Sequence, residues 1–296
     1  MNRLFKIIQF INRHPLAGKH RLRAYWRFLH WQITQRIRPH EVVFPFTPQS
    51  KIILKRGLIG GTGNIYAGLH DFSEMGFLLH FLRKEDLFAD IGANVGTYTI
   101  LASAQAGATT FAFEPIPATY SWLEKNIKVN HLEQKVKAFQ MGLGEKKDTI
   151  RFTNAYDAEN HVVSKWEDEQ NSIELQIEAF DHICFPDEVP VMVKIDVEGF
   201  EAEVLKGMKN SLADQRLKVI IIELNGSGYR YDFDEKEIHA SFLLLGFQPF
   251  EYDPYQRKLN LLPSFGPNNT IYVRDLAFVE QRLTSAEKIK VLGELF

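Results

Sequence analysis

The sequence predicts an α/β domain, a mostly parallel sheet with helices on both faces, led by a helical arm. Three observations predict it. From about residue 86, short apolar runs alternate with amphipathic helical stretches, the rhythm of a doubly wound sheet. A glycine-bearing loop, Asp90–Gly96, stands where the first run gives way to the first helix. The first 40 residues carry nine Lys or Arg and no Asp or Glu, which sets them apart from the rest of the chain.

Each element is readable in turn. In the arm, Leu4, Ile7, Ile8 and Ile11, then Leu22, Trp26, Leu29 and Ile33, repeat at helical spacing. Pro15 separates the two helices, since proline disfavours helix at the residue before it. Residues 41–69 are rich in β-branched residues and glycine and read as short strands with a glycine-rich loop. Residues 71–83 read as a helix with Phe72, Met75, Leu78, Leu79 and Leu82 on one face. Leu87–Ile91 (strand), Thr97–Ala106 (helix), Thr109–Phe113 (strand), Ala118–Asn130 (helix) and Val136–Gln140 (strand) then make a β-α-β-α-β run. Residues 145–183 break the rhythm as an insert or rim, with short strands expected at Thr149–Phe152, His161–Ser164 and Ile173–Ala179. Val189–Ile195, Gly199–Lys209, Leu217–Leu224, Glu235–Leu245, Phe247–Tyr252 and Asn269–Val273 resume it as strand, helix, strand, helix, strand and strand. The parse is an arm over 1–40 and a domain over 41–296: a lead-in at 41–85 and a core at 86–296 that carries the insert.

Composition bounds the function. The chain has 296 residues, 45% hydrophobic and 24% charged, with net charge −2. That excludes a disordered or fibrous chain. One cysteine, Cys184, allows no internal disulfide and points to a reducing, cytoplasmic compartment. No stretch reaches the length of a membrane span. The early apolar run Leu4–Ile11 is too short and too polar for a signal-peptide core. The near-neutral total hides an asymmetry: the arm is +9, leaving 26 basic against 37 acidic residues elsewhere, a balance of −11.

Three motifs carry chemistry. In A-D-I-G-A-N-V-G-T-Y-T (89–99), Gly92 and Gly96 permit a tight turn and close approach of a ligand to the backbone. Asp90 places a carboxylate at the carboxyl end of the strand, where ligands of doubly wound sheets sit. A pyrophosphate avoids such an anion, whereas an amino-acid ammonium suits it. Glu114 comes 24 residues later at the end of the next strand, in F-A-F-E-P, the position of an acid that holds a ribose diol. In V-K-I-D-V-E-G-F-E-A-E-V-L-K-G (193–207), Asp196 and Glu198 bring charge to the end of a third strand, and Asp196 is the candidate for contact with the reacting group. Lys194 reads equally as an ion-pair partner or a site residue, and Glu201 and Glu203 as an exposed helix start.

Together, Asp90–Gly96, Phe113-Glu114-Pro115 and Lys194–Glu201 resemble the FkbM family of S-adenosylmethionine-dependent methyltransferases, over roughly residues 70–275. The loop at 57–70 is similar to some bacterial members. The resemblance implies a seven-stranded class I (Rossmann-like) methyltransferase fold and O-methylation of a hydroxyl. It also implies a cofactor site: Asp90, Gly92, Asn94 and Gly96 at the methionine half, Glu114 at the ribose, and Gly142 and Leu143 beside the adenine. Glu74 matches a family glutamate that closes over the site, and Tyr66 and His70 are secondary candidates.

The sulfonium methyl is already activated, so the chain's tasks are alignment and a base for the acceptor hydroxyl. Asp196 is the first choice of base and also adjoins the cofactor; His161 is the alternative. A metal-assisted version would place Mg²⁺ on Asp196, Glu223 and Asn225. Among the acceptor classes that the family resemblance implies, a sugar hydroxyl in a glycan or glycolipid is the expected one, with a polyketide-type hydroxyl as the alternative. Outside this class stand a nicotinamide-dependent oxidoreductase, which needs a glycine where Thr97 stands, and a non-catalytic binding protein on the same fold. Nucleic acid is disfavoured as a partner, because no Pro-Pro comes after Asp196. The arm allows two readings: its stripe packs on the domain, or it lies as a peripheral contact on an anionic inner membrane face.

Overall fold

In the computed structural model, residues 3–153, 160–164 and 172–296 are described. The arm forms α1 (Arg3–Arg13) and α2 (Arg21–Ile37). The lead-in gives the hairpin β1 (Val42–Thr47) and β2 (Ser50–Leu54), then α3 (Ile59–Ala67) and α4 (Phe72–Phe81). The core opens with β3 (Leu87–Ile91), α5 (Thr97–Ile100, continuing as a π-helical turn over Leu101–Ala106), β4 (Thr109–Phe113), α6 (Pro117–Val129) and β5 (Val136–Phe139). The rim holds β6 (Gly142–Leu143), β7 (Asp148–Thr153) and β8 (Ser172–Glu178). Then come α7 (Phe180–Cys184), β9 (Met192–Ile195), α8 (Glu201–Lys206), α9 (Lys209–Ala213), β10 (Val219–Glu223), α10 (Glu235–Leu244), β11 (Gln248–Asp253), β12 (Lys258–Leu261), β13 (Asn269–Val273) and α11 (Leu276–Ser285). A terminal hairpin, β14 (Lys290–Val291) and β15 (Glu294–Leu295), closes the chain.

The main sheet runs β12-β11-β13-β10-β9-β3-β4-β5. The five strands from β10 to β5 are parallel, and β13 is antiparallel to both β10 and β11. This is the class I methyltransferase order with one addition: β12 pairs with β11 at the edge and makes an eighth strand where the resemblance implies seven. Period-two alternation splits the core into two layers. Phe88, Met192, Val219 and Ile221 face one layer with α4 and α6; Ile91, Val193, Ile195, Ile220 and Ile222 face the other with α8, α9 and α10. The same alternation aligns Asp90 with Lys194 across β3 and β9, and this register builds the site.

Three local readings are revised. The glycine-rich stretch expected as a loop is the helix α3. Its glycines allow close packing: a Cβ on Gly61 would lie 2.4 Å from Leu54, and one on Gly63 2.3 Å from the His70 ring. The single helix expected over 199–209 is two, parted at Gly207, where a Cβ would meet the Gly144 carbonyl at 2.0 Å. In the rim, Val162 makes only a bridge to Phe152 rather than a strand; residues 154–159 and 165–171 lie outside the described residues.

The arm is built into the molecule. Ala24, Phe28, Trp31 and Gln35 are buried, Leu16 and Trp31 in the same apolar layer as α4. The His14 ring lies 2.7 Å from the Leu69 carbonyl, and Arg27 donates to the Tyr66 carbonyl at 2.8 Å. The periodic stripe read from the sequence is not the packed one: Leu22, Trp26, Leu29 and Ile33 are exposed.

Candidate active site

The site stands at the carboxyl ends of β3, β4 and β9. After β3 the chain turns through Gly92 (φ 78°), Asn94 (φ 52°) and Gly96 (φ 89°), three left-handed residues within five. At Gly92 no side chain fits, since a Cβ would sit 1.9 Å from the Asp196 carbonyl oxygen. The loop after β9 therefore lies directly against the loop after β3, and Asp196 N–H donates to the Ile91 carbonyl at 3.0 Å.

Two cavities meet at this seam. The first is lined by Gly92, Asn94, Glu114, Ile116, Met141, Gly142, Leu143, Val162 and Phe200, among others. The second, about 200 Å³, is lined by Asp71, Asp90, Tyr98, Lys194, Asp196, Glu198, Glu223 and Asn269, with Gly60 and His70 at its wall. Gly92, Asn94, Asp196 and Glu198 belong to both. The first sets apolar residues beside the Glu114 carboxylate; the second is polar, with Asp71, Asp90, Asp196, Glu198 and Glu223 in its wall.

Glu114 is buried, and its two oxygens accept from Asn94 N–H (3.0 Å) and Ile116 N–H (2.9 Å). Each oxygen keeps a further lone pair, enough for a diol. Burial pushes its carboxyl up to about 7 against the pull of those two N–H groups. Asp90 is 1% exposed; one oxygen accepts from the Thr99 hydroxyl at 2.6 Å, while Oδ1 has no partner. An unpartnered buried carboxylate oxygen in a cavity wall suits a cationic ligand group. Burial raises the Asp90 carboxyl, opposed by the ammonium of Lys194.

Lys194 is buried and donates to Asp196 Oδ2 at 2.8 Å, with its ammonium 4.8 Å from the centre of the Tyr98 ring. It is therefore both an ion-pair partner and a cavity residue. Although burial opposes its charge, Asp196 and Asp90 hold its pKa above the ordinary lysine value. Tyr98 donates to Asp71 Oδ2 at 3.0 Å. Glu201 is not an exposed helix start: it is buried, and its Oε1 accepts from Val197 and Gly199 N–H at 3.1 Å each, clamping the Asp196 loop. Burial pushes the Glu201 carboxyl up to about 7. Glu203 pairs with Lys206 at 2.6 Å.

The remaining sequence candidates divide. Gly142 and Leu143 line the first cavity, and His70 the second. Glu74, on α4, is absent from both walls; burial and Asp71 push it up to about 8. His161 is buried between Asn160 and Val162, which line the first cavity, and lines neither itself. Tyr66 packs against Phe10 and Phe28 of the arm. For a metal, Asp196, Glu198 and Glu223 bring oxygens within 4.8 Å of one another. Asn225 instead accepts from Ser227 N–H at 2.9 Å in the turn after β10. Burial and the neighbouring Asp196 and Glu198 push Glu223 up to about 8. Sequence reasoning missed Asp71, Tyr98 and Asn269. Tyr98 was within reach, in the first turn of the helix that the Asp90–Gly96 loop opens; Asp71, at the start of α4, and Asn269, at the start of β13, reach the same wall only through the packing of the fold.

The FkbM methyltransferase domain pattern matches residues 90–249. Over 152 residues the chain is 34% identical to a hexuronic acid methyltransferase, AglP, of Haloferax volcanii, covering 50% of this chain and 59% of that one. Over 165 residues it is 27% identical to a methyltransferase of Beauveria bassiana, covering 47% and 65%. The chain thus spans under two thirds of the length of each of these relatives. A crystal structure of an FkbM methyltransferase from Methylobacillus flagellatus superposes with TM-score 0.44 at 16% identity, over 65% of this chain and 44% of that one.

Proposed function

The chain belongs to the FkbM methyltransferase family, and from that premise we propose that it moves the methyl group of S-adenosylmethionine onto a hydroxyl oxygen of a sugar in a glycan or glycolipid. The observation that carries the proposal is the pair of cavities joined at Gly92, Asn94, Asp196 and Glu198. One is apolar beside the Glu114 carboxylate; the other is lined by Asp90, whose buried Oδ1 has no hydrogen-bond partner. The cofactor, when bound, supplies an activated sulfonium methyl. Glu114 holds the ribose diol and Asp90 the ammonium, with the apolar residues Ile116, Leu143 and Phe200 around the base. Asp196, in the wall of both cavities, accepts the acceptor's hydroxyl hydrogen and draws its proton off as the oxygen is methylated. Lys194, donating to that carboxylate at 2.8 Å, fixes its position.

The acceptor cavity also supports a charge class. Asp71, Asp196 and Glu198 stand in its wall, beside Asp90 and Glu223 whose carboxyls burial raises, against Lys194 alone among the lysines and arginines of the described residues, and Lys194 is already paired. A carboxylate acceptor would meet like charge at short range, so the hydroxyl belongs to a neutral sugar rather than a hexuronate. The test is calorimetry and then turnover. One-to-one binding of S-adenosylmethionine, with no binding of NADH, and methylation of neutral rather than uronic oligosaccharides support the reading. NADH binding, or preference for a uronic carboxylate, refutes it.

A further inference from the structure

The arm carries two apolar faces on opposite sides of one helix, and the fold uses only one. Along α2, Ala24, Phe28, Trp31 and Gln35 are buried against the domain. On the other side, Leu22 is 85% exposed, Trp26 64%, Leu29 55%, Ile33 54% and Ile37 80%. At about 100° per residue these five fall within about 80° of arc, an apolar strip running the length of the helix. Scattered apolar exposure needs no explanation, but a continuous strip of this size does.

The charge around the strip identifies what covers it. Arg21, Arg23, Arg36 and Arg38 are exposed at its margins and ends. The arm contains no acidic residue, while the rest of the chain has a balance of −11. On α1, Phe5 and Ile8 are exposed beside Lys6 and Arg13. Next to the strip, a groove of about 490 Å³ between α1, α2 and α3 is walled by Ile7, Phe28, Leu29, Arg36 and Arg56. Apolar side chains including a tryptophan, which stacks on His30, with arginine and lysine as the charged residues at the margins, match the boundary between headgroups and acyl chains of an anionic bilayer. Among the described residues no helix is long and apolar enough to cross a membrane, so the contact is lateral.

We propose that the exposed face of α2, with the adjoining face of α1, seats the protein on an anionic membrane surface, the helix axis lying in the plane of the interface. The face opposite the bilayer is the one packed on the domain, so binding requires no unfolding of the arm. Leu22, Trp26, Leu29 and Ile33 enter the acyl boundary while the arginines meet lipid phosphates.

The experiment uses the full chain with vesicles of phosphatidylcholine alone or mixed with phosphatidylglycerol, at low and high salt. The protein should co-sediment with the anionic vesicles at least tenfold more than with the neutral ones. It should release at about 1 M salt, where screening shortens to roughly 3 Å. The double variant Trp26→Ser/Ile33→Ser should lose at least tenfold in partitioning while keeping the wild-type melting temperature, because both side chains are already exposed. Equal sedimentation with neutral and anionic vesicles, or undiminished binding of the variant, overturns the proposal. So does a stable dimer that the same double substitution dissociates and that ignores vesicles, which would make the strip a contact between copies of the chain.

Discussion

Replacing Glu114 by glutamine tests the cofactor site in a way that shape alone cannot mimic. The carboxylate sits between the Asn94 and Ile116 N–H groups at 3.0 and 2.9 Å, and burial pushes it up to about 7. A hydrogen bond to a charged group is worth roughly 1.5–3 kcal/mol, which corresponds to about 10- to 150-fold in dissociation constant. Glu114→Gln removes that charge and turns an amide NH₂ toward one of the two backbone donors. The sign of the pH effect is set by the raised carboxyl. On the proposed reading the ionised form holds the diol, so affinity should be full above about 7 and be lost as pH falls through it, by about tenfold for each unit below. Calorimetry of S-adenosylmethionine binding at about pH 6 and about pH 8 checks both parts. Wild type should weaken roughly tenfold at the lower pH, and the variant should be weak at both with a shallower dependence. A folded Glu114→Gln protein with wild-type affinity, or a wild-type affinity that does not change across this range, would refute the assignment.

Three further outcomes are expected. Asp196→Asn should bind cofactor within about threefold of wild type but lose roughly 10²–10⁴ in turnover, the usual range for a general base; full activity in a steady-state assay rules Asp196 out as the base. Trp31→Ala should lower unfolding free energy by about 3–5 kcal/mol in denaturant titration, whereas Trp26→Ala, on the exposed face of the same helix, should change it by no more than about 0.5 kcal/mol; equal effects would contradict the two-faced arm. Glu74 and Glu223, pushed up to about 8, and Glu114 and Glu201, pushed up to about 7, bind protons in the folded state that the unfolded chain has released. Stability of the ligand-free protein should therefore fall as pH rises from about 5 to about 8, and a melting temperature that climbs over that interval would contradict the burial of these groups.

The sheet and the turns of the Asp90–Gly96 loop were legible in the sequence because they rest on local rules. Strands β3, β4, β9 and β10 are mostly apolar runs, as strands covered on both faces must be. The Asp90–Gly96 loop announces its left-handed turns through its glycines. What was not legible depends on approach distance and partners. The α3 helix hid behind its glycines, whose low helical propensity is offset by packing that excludes any side chain. Glu201 read as solvated because acids are common at helix starts, and only the fold shows it turned inward onto Val197 and Gly199. The arm misled most: periodicity scores large apolar residues, so Leu22, Trp26, Leu29 and Ile33 stood out, while the buried face includes the small Ala24 and the polar Gln35. The packing of the arm does not exclude a membrane contact, because each uses a different side of α2.

The most direct test of the account is the position of the transferred group. The full-length protein, given S-adenosylmethionine labelled in its methyl group and a pool of neutral and uronic oligosaccharides, is assayed by fragmentation mass spectrometry of the products. The account predicts label on a hydroxyl oxygen of a neutral sugar, absent when Asp196→Asn replaces the wild type. Label on a carboxylate or a nitrogen, or no transfer to any sugar by a protein that binds the cofactor, would contradict it.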